Sequence, residues 1–362
     1  MTGIPKYFGP TTPQFPSFLV RIYAAVFFGA LGMAFVPWFL IHKAMFISIG
    51  RAYWIGTIAT PAVLLLSLAP MIYIYRKTGH REWRLPIASF AAIGILLAVI
   101  RIWTNVIEPG MLRVREVTIV TPKLTREVRI LHISDVQPGY VGSYEARAFA
   151  KMNSLKPDLI LHTGDLLQPY ADRDLDTEWG KLVALWKTLN PPLGKFTVEG
   201  DVDWRWIKYL DTPDCPIRWL HSSETSIDVD GKTIRIFGLP LDQTHIGSKA
   251  MAPVRSWFKQ TKPEEFSILM GHGPDFVEAA ESYPIDLCLA GHTHGGQVRI
   301  PFFGPLITFS KLPRELARGF HQVGDTHLNV SAGVGGEHSG GIPTIRFNCP
   351  SEMTLIRLVP EK

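Results

Sequence analysis

Several short apolar runs in this chain each end in an acidic or imidazole side chain. The residues at these ends are Asp135, Asp165, Asp201, His272, His292 and His294. Amphipathic stretches such as "EWGKLVALWKTL" separate several of the runs, and this alternation indicates an α/β architecture. Because α/β folds assemble their sites beyond the carboxyl ends of strands, we expect the six side chains to converge.

Carboxylates and imidazoles together favour divalent metals such as Mn, Fe, Zn or Co. The three cysteines, Cys215, Cys288 and Cys349, lack the spacing of a structural zinc site. A carboxylate can bridge two cations, and two metals about 3.5–4 Å apart can activate a water against phosphate. The pattern therefore predicts metal-dependent phosphoester hydrolysis.

The N-terminal third contains three long apolar segments, at 18–40, 52–75 and 85–105. A membrane-spanning helix needs about 20 mostly apolar residues, so residues 1–110 are predicted to be a membrane region with about three transmembrane helices. Three helices are few for a transporter, and Arg21 and Arg101 are expected to reach the membrane interface rather than line a pathway. We therefore interpret this region as an anchor.

The basic residues of the short loops predict the orientation of the anchor. Residues 76–84 carry four Lys or Arg, whereas 42–51 carry two, which places 76–84 in the cytoplasm. We therefore expect a multi-pass protein of the cell membrane whose chain beyond residue 110 is extracytoplasmic. The net charge of +5 comes largely from residues that flank the membrane, and no nucleic-acid partner is expected.

Five motifs carry a family resemblance: "ISDVQ", "TGDLL", "EGDVD", "MGHGPD" and "LAGHTHGGQVRIP". In this order and spacing they resemble the calcineurin-like metallophosphoesterases, and among them the membrane-linked bacterial group typified by YkuE and YaeI. The resemblance covers roughly Val128 to Leu358. It implies a linker at 111–127 followed by a four-layer αββα sandwich at 128–358, with two divalent metal ions.

The resemblance also implies a role for each ligand. Asp135 and His294 would bind the first metal, and Asp165 would bridge the two metals. Asp201, His272 and His292 would bind the second metal, with Asp201 standing where the family has an asparagine. Asp203 matches an acid that usually supports the site without binding metal.

The first and third motifs depart from the family pattern. Gln137 occupies the place of a histidine, and because an amide oxygen is a weaker ligand, the first site is expected to be weak or empty. Val202 stands where the family has its catalytic histidine. Three other residues, His162, His245 and Glu199, could replace that acid, although each is expected to be structural, and His132 and His162 are interpreted as core or supporting histidines.

These departures shape the expected substrate. A general acid typically contributes about 10²–10⁴-fold, so its loss matters least when the leaving group is good. The extra negative charge of Asp201 also disfavours dianionic monoesters. We therefore expect a phosphodiester, a pyrophosphate or a lipid-linked phosphate, hydrolysed by a metal-activated water. The alternative is a non-catalytic module that binds metal or a partner and has lost the catalytic histidine.

Overall fold

The computed structural model describes residues 58–205, 207–212, 214–244, 251–280, 283–338 and 343–361. The predicted transmembrane segment 18–40, the beginning of 52–75 and His245 lie outside these ranges. The chain divides near residue 101 into two compact units.

The first unit contains two described helices, α1 (Thr60–Thr78) and α2 (Arg84–Ile102). Gly79 ends α1 in a left-handed conformation with a φ of 68°, which glycine adopts without strain. Gly94 of α2 is buried against Leu65, where an added Cβ would lie 3.0 Å from the leucine side chain. In the described ranges, one continuous helical segment, Arg81–Ile107, is long and apolar enough to cross a membrane by length and composition.

The described residues of the second unit form two six-stranded sheets and a short hairpin. The strands, in chain order, are β1 (Leu112–Thr121), β2 (Val128–Ile133), β3 (Leu159–His162), β4 (Lys195–Thr197), β5 (Arg218–Trp219), β6 (Ser223–Val229), β7 (Lys232–Gly238), β8 (Phe266–Met270), β9 (Leu287–Ala290), β10 (Arg299–Ile300), β11 (Gly304–Pro305), β12 (Gly319–Val323), β13 (Thr326–Val330) and β14 (Ser351–Pro360). The first sheet has the order β1-β14-β2-β3-β4-β5, and the second has the order β12-β13-β9-β8-β7-β6. The strands β2, β3 and β4 are mutually parallel, as are β7, β8 and β9.

The helices of the second unit are short. They are α3 (Ser143–Ser154), α4 (Leu175–Trp186), α5 (Ile207–Leu210), α6 (Met251–Gln260) and α7 (Val277–Ala280). Phe149 of α3 and Trp186 of α4 pack edge to face, with ring centroids 5.2 Å apart. Asp174 caps the beginning of α4 by accepting the backbone N–H of Thr177 at 2.9 Å.

Three apolar clusters hold these elements together. One joins the two sheets directly, with Ile130 of β2 and Ile268 of β8 both fully buried. A second contains side chains of the first sheet and of α3 and α4, and a third contains side chains of the second sheet and of α6 and α7. The mixed α/β architecture predicted from the sequence is confirmed.

The interpretation of 111–127 as a linker is wrong for Leu112–Thr121. This segment forms β1, which pairs in parallel with the whole of β14. Leu112 and Val114 pack with the cluster of α3 and α4, whereas Val117 and Ile119 pack with the cluster between the sheets. This change of face interrupts the alternation of apolar and polar residues, which is the main sequence signal of a strand.

Candidate metal centre

The predicted ligands all follow the carboxyl ends of parallel strands. Asp135 lies two residues beyond β2, Asp165 three beyond β3 and Asp201 four beyond β4. His272 and His292 each lie two residues beyond β8 and β9. Since the first three come from one sheet and the histidines from the other, the site is assembled across the two sheets.

The six side chains form two groups of three. In the first group, the ligand atoms of Asp135, Asp165 and His294 lie within 4.8 Å of one another, and all three residues are buried. In the second group, Asp201, His272 and His292 meet the same distance limit. The carboxylate of Asp201 contacts both rings of its group, with oxygen atoms 3.4 Å from His272 Nε2 and 3.4 Å from His292 Nδ1.

Asp165 connects the two groups. It belongs to the first group, and its Oδ2 atom lies 3.5 Å from Nε2 of His272 in the second. Its other oxygen, Oδ1, accepts a hydrogen bond of 3.0 Å from the backbone N–H of Val202. This arrangement is that of a carboxylate able to face two cations at once.

The backbone is strained where it presents these side chains. Asp135, Asp165, His292 and His294 have φ angles of 51°, 61°, 66° and 48°. Non-glycine residues rarely adopt positive φ, and such strain concentrates at functional sites. Gly200 permits the close approach, because a Cβ there would lie 2.1 Å from Oδ1 of Asp165.

His272 is oriented by a backbone carbonyl. Its Nδ1 donates to the carbonyl oxygen of Thr163 at 2.7 Å, which turns Nε2 towards Asp165 and Asp201. Burial alone would lower the pKa of His272, but the two carboxylates outweigh burial and raise the pKa well above its ordinary value. The position at Nε2 therefore attracts a positive charge, either a proton or a metal cation.

Asp201 is ionised in this environment. Burial raises its pKa, but the close contacts with the rings of His272 and His292 have the larger combined effect and hold the pKa far below its ordinary value. Its side chain remains 46% exposed, so this carboxylate lies at the rim of the centre.

Gln137 lies beside the first group with its amide held in one direction. Its Nε2 donates to Oε1 of Gln168 and to Oε2 of Glu337, both at 3.0 Å. Its Oε1 is buried and has no hydrogen-bond partner among the described residues. A buried amide oxygen without a donor requires an explanation, and a cation is one.

The donor atoms of the site fit divalent metal ions. They are carboxylate oxygens, imidazole nitrogens and one amide oxygen, a set that suits Mn, Fe, Zn or Co. Besides Gln137 Oε1, the buried atoms Nε2 of His272 and Nδ1 of His294 have no hydrogen-bond partner in the described ranges. Such atoms are costly to bury unless something coordinates or bonds them.

The motif "GDVD" has a structural part as well as a ligand. Asp203 is fully buried and accepts backbone N–H groups from Asp165, Leu166 and Gly200, each at 2.8 Å. It thus ties the loop after β3 to the loop after β4. Val202 is half-buried and contributes its backbone N–H to Asp165, while its side chain offers no proton.

Of the residues that could replace the missing acid, His162 and Glu199 lie in the described ranges and bond other groups, and His132 is buried in the core. His162 is buried against Thr197 Oγ1 at 2.8 Å, and burial lowers its pKa well below the ordinary value. Burial also lowers the pKa of His132 to about 3. Glu199 accepts the backbone N–H of Leu241 at 3.0 Å.

Two residues near the site were not singled out by the sequence. Glu337 orients Gln137, as described above. Arg346 is fully buried and donates to the carbonyl oxygens of Ala332 and Cys349 at 2.7 and 2.8 Å, which fixes the loop behind His294. In the sequence, Arg346 could have been noticed because it is a lone cation in the mostly uncharged stretch "IPTIRFNCP".

Comparisons with known proteins agree with this site. The sequence model of the calcineurin-like phosphoesterase family matches residues 128–296. The metallophosphoesterase YkuE of Bacillus subtilis is 30% identical over 268 residues, which cover 71% of this chain and 88% of YkuE.

Two further relatives carry names that state an activity. The UDP-2,3-diacylglucosamine pyrophosphatase LpxG of Chlamydia muridarum is 25% identical over 328 residues, or 75% of this chain and 97% of LpxG. The phosphodiesterase YaeI of Escherichia coli is 35% identical over 109 residues, or 28% of this chain and 38% of YaeI. The chain therefore belongs to the calcineurin-like metallophosphoesterases and is a metal-dependent phosphoester hydrolase.

Proposed function

We propose that this protein is a membrane-anchored phosphoesterase with two divalent metal ions and that it hydrolyses a pyrophosphate or phosphodiester bond of a lipid-linked substrate. The observation that carries the proposal is the position of Asp165, which lies in one ligand group and contacts the other. A carboxylate between two groups of donors is what a two-metal centre requires.

The assignment of ligands follows the two groups. Asp135, His294 and the Oε1 atom of Gln137 would hold the first cation, and Asp165 would serve both cations. The second cation would be held by Asp201, His272 and His292. Bound cations would supply Lewis acidity for activating a water and would balance the charge of the phosphate.

The residues of the chain define which phosphates suit the centre. Ionised Asp201 lies at the partly exposed rim, where it repels a dianionic monoester more strongly than a monoanionic diester. Val202 gives the leaving group no proton, which favours leaving groups that depart as stable anions. A pyrophosphate bond satisfies both conditions, and the name of LpxG identifies that relative as a pyrophosphatase of a diacylated sugar nucleotide.

The membrane part of the proposal rests on the apolar helices. The helical segment Arg81–Ile107 has sufficient length and apolar composition, and large apolar side chains such as Leu85 and Leu96 are exposed along it. Side chains of this kind are stable in lipid and costly in water. We propose a multi-pass anchor at 1–110 with the phosphoesterase domain outside the cytoplasm, and a four-layer αββα sandwich as the form of that domain.

The test is hydrolysis of bis-p-nitrophenyl phosphate by the full chain in detergent with added Mn. We expect turnover of bis-p-nitrophenyl phosphate, and we expect His292→Ala to abolish it. The monoester p-nitrophenyl phosphate should be hydrolysed more slowly. Absence of turnover above that of the His292→Ala control would contradict the proposal.

The alternative function, a module that binds metal or a partner without catalysis, is motivated by Val202 and Gln137. It predicts that the unmodified chain has no phosphoesterase activity and that the double variant V202H/Q137H gains this activity. Activity of the parent chain itself would exclude it.

A further inference from the structure

The loop that carries His292 and His294 leads directly into an apolar hairpin, residues 299–309, with the sequence "RIPFFGPLITF". Its strands β10 and β11 pair antiparallel over only two residues each. The large apolar side chains it exposes are Ile300, Phe302, Phe303, Leu306, Ile307 and Phe309. Phe302 is fully exposed, and Phe303 is 57% exposed. Concentrated apolar exposure of this kind marks an interaction surface.

The apolar hairpin is fixed beside the metal centre. The Nη1 atom of Arg299 donates to the carbonyl oxygen of Gly295 at 2.8 Å, and a Cβ added to Gly296 would lie 2.3 Å from Pro305. At the other end, the ring of Phe309 lies 6.3 Å from the ring of His292, measured between centroids. The apolar surface is therefore continuous with the second ligand group.

The chain just after the apolar hairpin is anchored in the domain. The backbone N–H of Lys311 donates to the carboxylate of Asp275 at 3.1 Å, and the hydroxyl of Ser310 bonds the same carboxylate. Asp275 is itself buried. With both ends held, the exposed side chains at the tip present a preorganised surface.

The charged residues within 299–314 are all positive, and the nearest acidic groups are buried Asp275, bonded by Ser310 and Lys311, and Glu315, which follows the stretch. Residues 299–314 include Arg299, Lys311 and Arg314 and contain no acidic residue. The guanidinium of Arg314 lies 4.8 Å from the centroid of the Phe303 ring, a cation–π contact that places charge next to the aromatic side chains. Aromatic and aliphatic side chains flanked by Arg and Lys are the composition of segments that bind the interface of an anionic bilayer.

We propose that the apolar hairpin inserts into a lipid bilayer, with Phe302 and Phe303 in the acyl region and the basic residues against the phosphate headgroups. A protein surface would satisfy the apolar residues, but a bilayer satisfies the apolar residues and the three cations together. Insertion holds the second ligand group at the level where the phosphate of a lipid lies. This inference deepens the proposed function, since it rests on a lipid-linked substrate.

Insertion is measured without reference to catalysis. The full chain carries Phe302→Cys in a Cys215→Ser background, is labelled with an environment-sensitive fluorophore, and is reconstituted into nanodiscs containing anionic lipid. Cys288 and Cys349 are buried, so labelling is directed to position 302. Ser226→Cys, on an exposed position of β6, serves as the matched control.

We expect blue-shifted emission at position 302 and quenching by spin-labelled lipids that is several-fold stronger than at position 226. The quenching depth should be about 5–10 Å below the headgroup boundary, as for other interfacial segments. Emission at 302 as water-exposed as at 226 would overturn the proposal. A blue shift without lipid quenching would also overturn it, because it would identify a protein occupant, such as a second copy or residues 1–57.

The double variant F302S/F303S separates this inference from the proposed function. We expect it to keep the turnover of bis-p-nitrophenyl phosphate and to lose most of the turnover of a phospholipid-like diester in nanodiscs. Equal loss on both substrates would contradict a role in docking. If neither substrate is hydrolysed by the parent chain, the proposed function fails, while the quenching result still decides insertion.

Discussion

Asp165 and His272 follow strands of different sheets, yet their side chains lie 3.5 Å apart. The proposed metal centre therefore depends on the register with which the two sheets pack. Conversely, a cation held between these side chains would link the two sheets in the folded state only. Metal binding and folding are coupled wherever the site exists only in the native chain.

The first prediction follows from this coupling. Metal at 100 times its dissociation constant should stabilise the domain by about 2.7 kcal/mol, and chelation should remove that stabilisation. Differential scanning fluorimetry with and without Mn measures it. Asp165→Asn should abolish the Mn-dependent shift, whereas Asp325→Asn, in an exposed turn, should retain it. A shift that survives Asp165→Asn would place the stabilising ion elsewhere.

The second prediction concerns Val202. Val202→His should restore a proton donor and raise turnover of diesters with alkyl leaving groups by up to about 10²-fold, within the usual range for a general acid. Turnover of bis-p-nitrophenyl phosphate should change little, because its leaving group needs no proton. The measurement is the ratio of the two rates, with Val202→Gln as the control of similar bulk. An equal gain on both substrates would contradict the interpretation.

The third prediction concerns the first cation. Gln137→His should tighten its binding, because imidazole is a better ligand than an amide oxygen. Glu337→Ala should weaken it by about 10–100-fold, the usual effect of removing a group that orients a ligand. Titration of the chelated protein with Mn, followed by electron paramagnetic resonance, reports both changes. Unchanged affinity in Glu337→Ala would show that Gln137 does not bind the metal.

The fourth prediction concerns Glu352, whose side chain is 2% exposed and bonds Arg318 and Arg115. Burial raises its pKa, but the two arginines outweigh burial, so the pKa lies below the ordinary value of 4.5. A depressed folded-state pKa contributes stability that is fully present above about pH 4.5 and is lost as the pH falls through the folded value. Glu352→Gln should therefore destabilise the fold at pH 7, by about 1.5–3 kcal/mol if it loses the usual contribution of a hydrogen bond to a charged group.

The cost of Glu352→Gln should shrink as the pH falls below 4.5, which urea unfolding at several pH values measures. Asp230→Asn provides a control, because Asp230 also pairs with an arginine, Arg126, but is 65% exposed. A cost that is independent of pH would contradict the role of the charge.

Much of the fold followed from local patterns. The strands ending at Ile133, His162 and Met270 are short apolar runs bounded by polar turns, so both their existence and their ends were readable. Strand β1 could not be recognised from the sequence, because its apolar side chains change from one face to the other near Arg115. The sequence also could not show which strands pair, since β1 and β14 lie more than 200 residues apart.

For the candidate site, the sequence indicates the proposed ligands but not the residues that orient them. The residues Asp135, Asp165 and His292 stood out because they end strands and match motifs. Glu337 acts through Gln137, a long-range contact that no local pattern reports. The apolar hairpin was hidden because "RIPFFGPLITF" reads as an ordinary buried stretch, and only the structure shows that Phe302 is exposed.

The structure offers one divalent cation to each of the two groups of ligands, with Asp165 facing both. Anomalous diffraction from crystals of the full chain grown with Mn locates these cations. We expect two peaks about 3.5–4 Å apart. One should be bounded by Asp135, Asp165 and His294, and the other by Asp201, His272 and His292. Peaks remote from Asp165, or no peak at either group in saturating Mn, would contradict a two-metal centre.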